Sequence, residues 1–143
     1  MTFWIGVACR DHVKRGEEGG FAQLGHGKHL AVKNLKRGDW IAYYSPTSIL
    51  GSGDKIQAFT SIGRITSDAA YQVEQNERFH PWRVDVEFEK NPTEVPIRPL
   101  LEDLDMTRGR GNKWGMAFRA GKIKATDADF LKIAAAMGVQ LAE

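Results

Sequence analysis

The chain is poor in cysteine. Cys9 stands alone in 143 residues, which excludes an internal disulfide and a thiolate-rich metal site and points to a reducing, cytoplasmic setting. Long apolar runs are also missing: no stretch approaches the roughly 20 residues of a membrane span. The first residues, MTFWIGVACRD, have neither a basic leader nor a long apolar core, so they do not read as a signal peptide. Nor is there a strong excess of charge. Twenty Lys and Arg stand against 18 Asp and Glu, a net charge of +2, which permits a polyanionic partner without requiring one. No repeat, low-complexity tract or linker divides the chain, and residues 1–143 read as a single domain large enough for its own hydrophobic core.

What is present is a set of short apolar stretches with strand spacing. FWIGVAC, residues 3–9, is apolar on both faces, as a central strand is. In GDWIAYYSP, residues 38–46, Trp40, Ala42 and Tyr44 share one face while Ile41, Tyr43 and Ser45 share the other. IQAFTSIGRIT reads as a strand in which Gly63 marks a close approach. WRVDVEFE alternates Trp82, Val84, Val86 and Phe88 with Arg83, Asp85, Glu87 and Glu89. Between these lie segments that read as irregular. RDHVKRGEEGG is expected to be a loop with one helical turn, SPTSILGSGDK a flexible connector, and residues 67–81 a long connection, part of it helical. In VPIRPLLEDLDM, Pro99 suits the first position of a short helix. WGMAFRAGKIKA is open between a helical turn and a hairpin. Thr126 can cap a final helix, with Asp129 three residues on; Phe130, Ile133, Ala134 and Met137 make its apolar stripe, and Gly138 ends it. About five to six strands without regular strand–helix alternation imply an α+β fold: a bent, mainly antiparallel barrel with short helices packed outside.

The chemistry-bearing residues divide by type. His12, His26, His29 and His80 lack the carboxylate pattern of a metal site, and no metal or other cofactor is expected. Cys9 beside Arg10 and near His12 suits a thiolate nucleophile less well than a buried structural thiol. GSGDK lacks the following Gly-Lys-Ser/Thr of a phosphate cradle. Three basic groups are more telling: Arg10, Lys14 and Arg15; Lys28, Lys33, Lys36 and Arg37; and Arg108, Arg110 and Lys113 just before Trp114. Arginines beside flexible glycines can follow a phosphate backbone while a neighbouring indole stacks a base. Phe21, Tyr44, Phe79 and Trp114 stand at strand ends or in loops, where a pocket is lined. Gln23, Ser45, His12 and Arg98 supply the polar groups that would read a base edge.

Six stretches together, FWIGVACRDHVKRGEEGGFAQLGHGK, LKRGDWIAYYSP, QAFTSIGRI, FHPWRVDVEF, VPIRPLLEDLDM and DADFLKIAAAM, resemble the EVE domain in order and spacing over nearly the whole chain. The resemblance implies a PUA-like barrel related to the YTH domain, which reads methylated adenine in RNA with an aromatic cage. It implies a non-catalytic, monomeric module, without membrane contact, that binds DNA or RNA through a modified cytosine or adenine flipped into a pocket. Carried over by position, the cage wall falls at Phe21, with Tyr44 and Ser45 from the GDWIAYYSP strand and Trp82 and Arg83 from HPWRVD. The base-binding set is then His12, Phe21, Gln23, Tyr44, Ser45, Phe79, Trp82, Arg83, Arg98 and Trp114; the phosphate contacts are Arg10, Lys14, Arg15, Arg108, Arg110 and Lys113. Trp40 and Tyr43 fill the core, Tyr44 and Ser45 reach the rim, and Pro46 stops strand pairing there. Two alternatives stay open: a nuclease-like enzyme using Asp11, His12 and Arg83, and a sensor of free modified nucleotides.

Overall fold

The computed structural model describes residues 1–50 and 52–141; Gly51, in the middle of the expected flexible connector, lies outside them. Among the described residues, eight strands form one curled sheet: β1 (Phe3–Val7), β2 (Phe21–Ala22), β3 (Trp40–Ile49), β4 (Ser52–Ile65), β5 (Tyr71–Gln72), β6 (Trp82–Phe88), β7 (Val95–Pro96) and β8 (Lys122–Ala125). Its main path runs β2-β6-β4-β3-β1-β8, with β5 beside β6 and β7 beside β4. Every pairing is antiparallel except β1 with β3, which runs parallel from Phe3↔Trp40 to Val7↔Tyr44. A parallel pair needs a long crossover. Here it contains helix α1 (Arg10–Gly19), β2 and the short helix α2 (His29–Val32). Helix α3 (Asp127–Ala136) follows β8. Among the described residues, no helix is long and apolar enough to cross a membrane.

Strand β3 divides two hydrophobic clusters. Trp40, Ala42 and Tyr44 enter one, with Phe3, Ile5, Phe59, Trp114, Phe118 and Phe130. Ile41 and Tyr43 enter the other, with Val13, Leu24, Val32, Leu35 and Val84. Alternation along a strand sends neighbours to opposite faces, and here both faces are covered. This accounts for the run of buried residues from Trp40 to Ser45, which a half-exposed strand would not tolerate.

Several expectations from the sequence are overturned. Residues 10–19 form a full helix, not a loop with one turn. Val13 and Gly16 are its buried residues, and Gly20, at φ 72, closes it. Its apolar content is low, so its stability comes from packing on β2 and β3 rather than from propensity. Pro46 does not stop the sheet either. Pairing resumes at Thr47↔Lys55 after a register shift, and β3 and β4 continue as a long hairpin to Ile49↔Ser52, in place of the flexible connector. Proline is tolerated at such an irregularity because no ladder bond is asked of its missing N–H. Residues 67–81 hold the short strand β5 and no helix.

Other local readings hold. Gly63 lies so close to β6 that a Cβ there would stand 2.6 Å from Val86 Cγ1 and 2.8 Å from the Glu87 carbonyl oxygen. Thr126 caps α3 by accepting from the Asp129 backbone N–H at 3.1 Å. The Asp129 carboxylate, however, does not complete a box. It accepts from the backbone N–H groups of Asp105 and Met106 at 2.7 and 3.0 Å, tying the 97–108 segment to α3.

Candidate nucleic-acid interface

The sequence-predicted site residues fall into two groups in the structure. The first surrounds a cleft of about 420 Å³ where the β1–β3 pairing ends at Val7↔Tyr44. Its walls are Val7, Tyr44 and Pro46 from these strands, Gln57 from β4, and Arg98, together with Asn112, Trp114, Gly115 and Phe118 from the 3₁₀ segment Gly111–Phe118 and Arg119 just after it. Three of the predicted residues, Tyr44, Arg98 and Trp114, therefore share one concavity. Such a volume lies in the usual range for small-ligand sites.

The aromatic floor of this cleft is largely committed to its own packing. The Tyr44 ring stacks on Phe118 at 4.1 Å between centroids and 18° between planes. Trp114 meets Tyr44 edge-on at 6.3 Å and 89°. Exposure of Tyr44, Trp114 and Phe118 is 3%, 8% and 6%. Tyr44 is thus a core residue that borders the cleft, not a free ring at the rim. One face of its ring is taken by Phe118. Burial pushes the Tyr44 phenol up to about 12, with Arg98 pulling the other way, so the hydroxyl stays protonated at neutral pH.

The polar groups are better placed. Arg98 donates its Nε to Gln57 Oε1 at 3.2 Å and lies 5.6 Å from the Trp114 ring centroid. Gln57 is held at φ 48, and its carbonyl accepts from the Ile97 N–H at 2.8 Å. A non-glycine residue in this region of backbone space is uncommon and costs about 1 kcal/mol or more, so the surrounding contacts hold it there. Arg98 is thereby fixed at the mouth of the cleft.

The second group clusters where α1 meets β2 and β6. His12 Nε2 lies 2.6 Å from the Gln23 carbonyl oxygen. Gln23 Oε1 accepts from Arg83 Nε at 2.8 Å, and Arg83 covers the Phe21 ring at 3.7 Å. Arg83 also reaches Gln75 Oε1 at 3.3 Å. Phe21 pairs with Asp85 across β2 and β6, and Ala22 with Val84, which brings these side chains together. Trp82 lies against His29 at 4.2 Å between ring centroids. Phe79 stands with Pro81 against Gly27. His12, Phe21, Gln23 and Arg83 therefore form one mutually bonded unit, with Trp82 and Phe79 in the same neighbourhood of the chain but outside the 420 Å³ cleft.

Ser45 is in neither group. It is fully buried, and its hydroxyl bonds Thr60 Oγ1 at 2.7 Å inside the sheet. Its expected place at the rim fails because β3 continues past it. The basic residues also differ from one another. Arg10 pairs with Glu94, Lys14 lies near Glu17 and Glu94, Arg15 pairs with Asp11, and Arg108 with Asp105. Arg110 and Lys113 are exposed and have no carboxylate partner among the described residues. Also among the described residues, no three His, Cys, Asp or Glu side chains stand close enough to hold a metal ion.

Gln57, Asn112, Phe118 and Arg119 were missed from sequence. A signal for Phe118 was there: it follows Trp114 by four positions in WGMAF, an aromatic pair close enough in the chain to meet the same cluster. For Gln57 there was none, because its position depends on the bulge in the β3–β4 pairing.

The comparisons agree with this architecture. Rpa0253 from Rhodopseudomonas palustris, solved by NMR, superposes over 99% of this chain and 97% of its own with a TM-score of 0.57 at 18% identity. The crystal structure of Atu2648 from Agrobacterium tumefaciens gives a TM-score of 0.59 at 12% identity, covering 97% and 94%. These show a shared fold. Nearer in sequence are UPF0310 proteins: msl3206 from Mesorhizobium japonicum, 49% identical over 96% of this chain and 92% of its own; one from Mycolicibacterium vanbaalenii, 44% identical over 96% and 93%; and YdcG from Bacillus subtilis, 37% identical over 98% and 94%. The EVE domain model matches residues 2–136, and with that span covered the chain belongs to the EVE domain family.

Proposed function

We propose that this protein is a non-catalytic nucleic-acid-binding module that takes one modified base, extruded from its strand, into the cleft bounded by Tyr44, Gln57, Arg98, Trp114 and Phe118. The observation that carries the reading is that cleft: about 420 Å³, with an apolar aromatic floor and polar side chains around its mouth. Extrusion costs a few kcal/mol. Apolar contact with the ring-lined floor and hydrogen bonds to the base edge offset that cost.

Flanking phosphates then follow Arg110, Lys113 and Arg119, which stand on one segment with the cleft and lack carboxylate partners among the described residues. Arg10, Lys14, Arg15 and Arg108 are neutralised by acidic neighbours and take a lesser part. Against the nuclease alternative stands the engagement of its candidate groups: Asp11 with Arg15, His12 with the Gln23 carbonyl, Arg83 with Gln23 and Phe21.

The test is a binding titration by fluorescence anisotropy. Short DNA and RNA strands, each with one central modified base or its unmodified parent, are compared at matched salt. Selective binding of a modified strand is the expected result, with each Ala variant of Arg110, Lys113 or Arg119 lowering the salt slope by about 1. Equal binding of modified and unmodified strands across a broad panel overturns the reading, as does cleavage of the strands that is lost in His12→Ala.

A further inference from the structure

We infer that the cleft is built for a base bearing an anionic edge, such as a carboxylated pyrimidine, rather than for a base marked only by a methyl group. This rests on the reading above that the cleft accepts a nucleobase. Three observations lead to it.

First, none of the ten side chains and backbone positions around the cleft is acidic, and two are arginines, Arg98 and Arg119. Four arginines elsewhere pair with carboxylates: Arg10 with Glu94, Arg15 with Asp11, Arg37 with Asp68 and Arg108 with Asp105. The cleft therefore keeps positive charge that its own surroundings do not compensate. Both arginines are exposed, so solvent screens their field at a distance and the charge acts mainly at contact range.

Second, Arg98 is anchored through a neutral group. Gln57 Oε1 accepts only its Nε, so the two terminal amino groups make no hydrogen bond to the described residues. A guanidinium held in this way presents a flat pair of donors, the geometry that matches a carboxylate bidentately. Third, the Trp114 ring lies beneath the same guanidinium at 5.6 Å, so a flat ligand resting on the aromatic floor brings its edge to those donors.

A methyl group offers these donors no partner. A methylated base offers them only its neutral ring carbonyl and ring nitrogen acceptors, which are weaker partners for a guanidinium than a carboxylate. A carboxylate pairs with one or both.

The experiment compares strands of one sequence whose central base is cytosine, 5-methylcytosine, 5-carboxylcytosine, N6-methyladenine or guanine, titrated against the full chain at matched salt. A Kd for the carboxylated strand at least about tenfold below those of the methylated and unmodified strands is expected. Arg98→Gln should abolish that preference, while Arg98→Lys, which keeps charge but not the fork, should retain part of it. Arg98 is exposed, so both variants should melt as the parent does. Arg119→Gln, at the other arginine of the cleft, supplies a second test and should weaken the same preference. Selective binding of a methylated strand overturns the inference and leaves the reader intact. Equal binding of all strands overturns both. Competition by free nucleoside 5′-monophosphates as strong as by the carboxylated strand also overturns the inference, since the guanidinium groups then serve a phosphate.

Discussion

The guanidinium of Arg83 covers the ring of Phe21 at 3.7 Å, while its Nε is held by the Gln23 amide oxygen at 2.8 Å. One face of the Phe21 ring is thus already covered by a side chain of its own protein. Phe21 and Arg83 should therefore be energetically coupled. A double-mutant cycle with Phe21→Ala and Arg83→Ala, read by urea denaturation, should return a coupling of about 1 kcal/mol. No coupling would mean the contact contributes only area.

Tyr44 and Trp40 should behave alike. Both are 3% exposed and share one cluster. Replacing either with Ala should destabilise the fold by about 3–5 kcal/mol, so loss of binding in Tyr44→Ala would say nothing about a pocket. Tyr44→Phe keeps the ring against Phe118 and should cost less than about 1 kcal/mol. It is the variant with which to ask whether the hydroxyl contacts a ligand.

Asp129 should matter more than the cap beside it. Its buried carboxylate receives two backbone N–H groups from residues 105 and 106. Asp129→Ala leaves both donors without that partner and should cost about 3 kcal/mol or more. Thr126→Ala removes one capping bond and should cost about 1 kcal/mol. Chemical denaturation of the two variants side by side checks the order.

Alkaline pH should unfold the protein through its tyrosines. Burial pushes Tyr44 and Tyr71 up to about 12 and raises Tyr43 as well. An unfolded chain releases phenolic protons near pH 10.0, whereas the folded chain holds them longer. Between about pH 10 and 12 the native state binds more protons than the unfolded one, so stability falls as pH rises. Below about pH 10 these groups contribute no slope. The urea midpoint, followed from neutral pH upward, should decline only above about pH 10, and less steeply in Tyr44→Phe.

Gln57 should be a positioning residue. Gln57→Gly removes the amide that holds Arg98 but relieves the φ of 48; Gln57→Ala removes the amide and keeps the strain. Gly should be the more stable of the two by several tenths of a kcal/mol or more. Both should lose the same share of base selectivity. Selectivity that tracks stability instead would place the role of Gln57 in the backbone.

By itself the sequence determined the strands that carry buried alternation, β1, β3, β4 and β6, and the helix α3 with its Thr126 cap. It also determined Gly63 as a close contact and the family to which the chain belongs. These are local patterns, and side-chain period and capping chemistry express them wherever the chain goes. Only the tertiary structure decided the rest. Helix α1 was hidden because its few apolar residues matter only against β2 and β3. The hairpin past Pro46 depends on a bulge that no single strand records. The division of the candidate site was equally invisible. Whether Tyr44 is rim or core turns on Phe118, 74 positions away in the chain, and whether a cation is free turns on which carboxylate folding brings beside it.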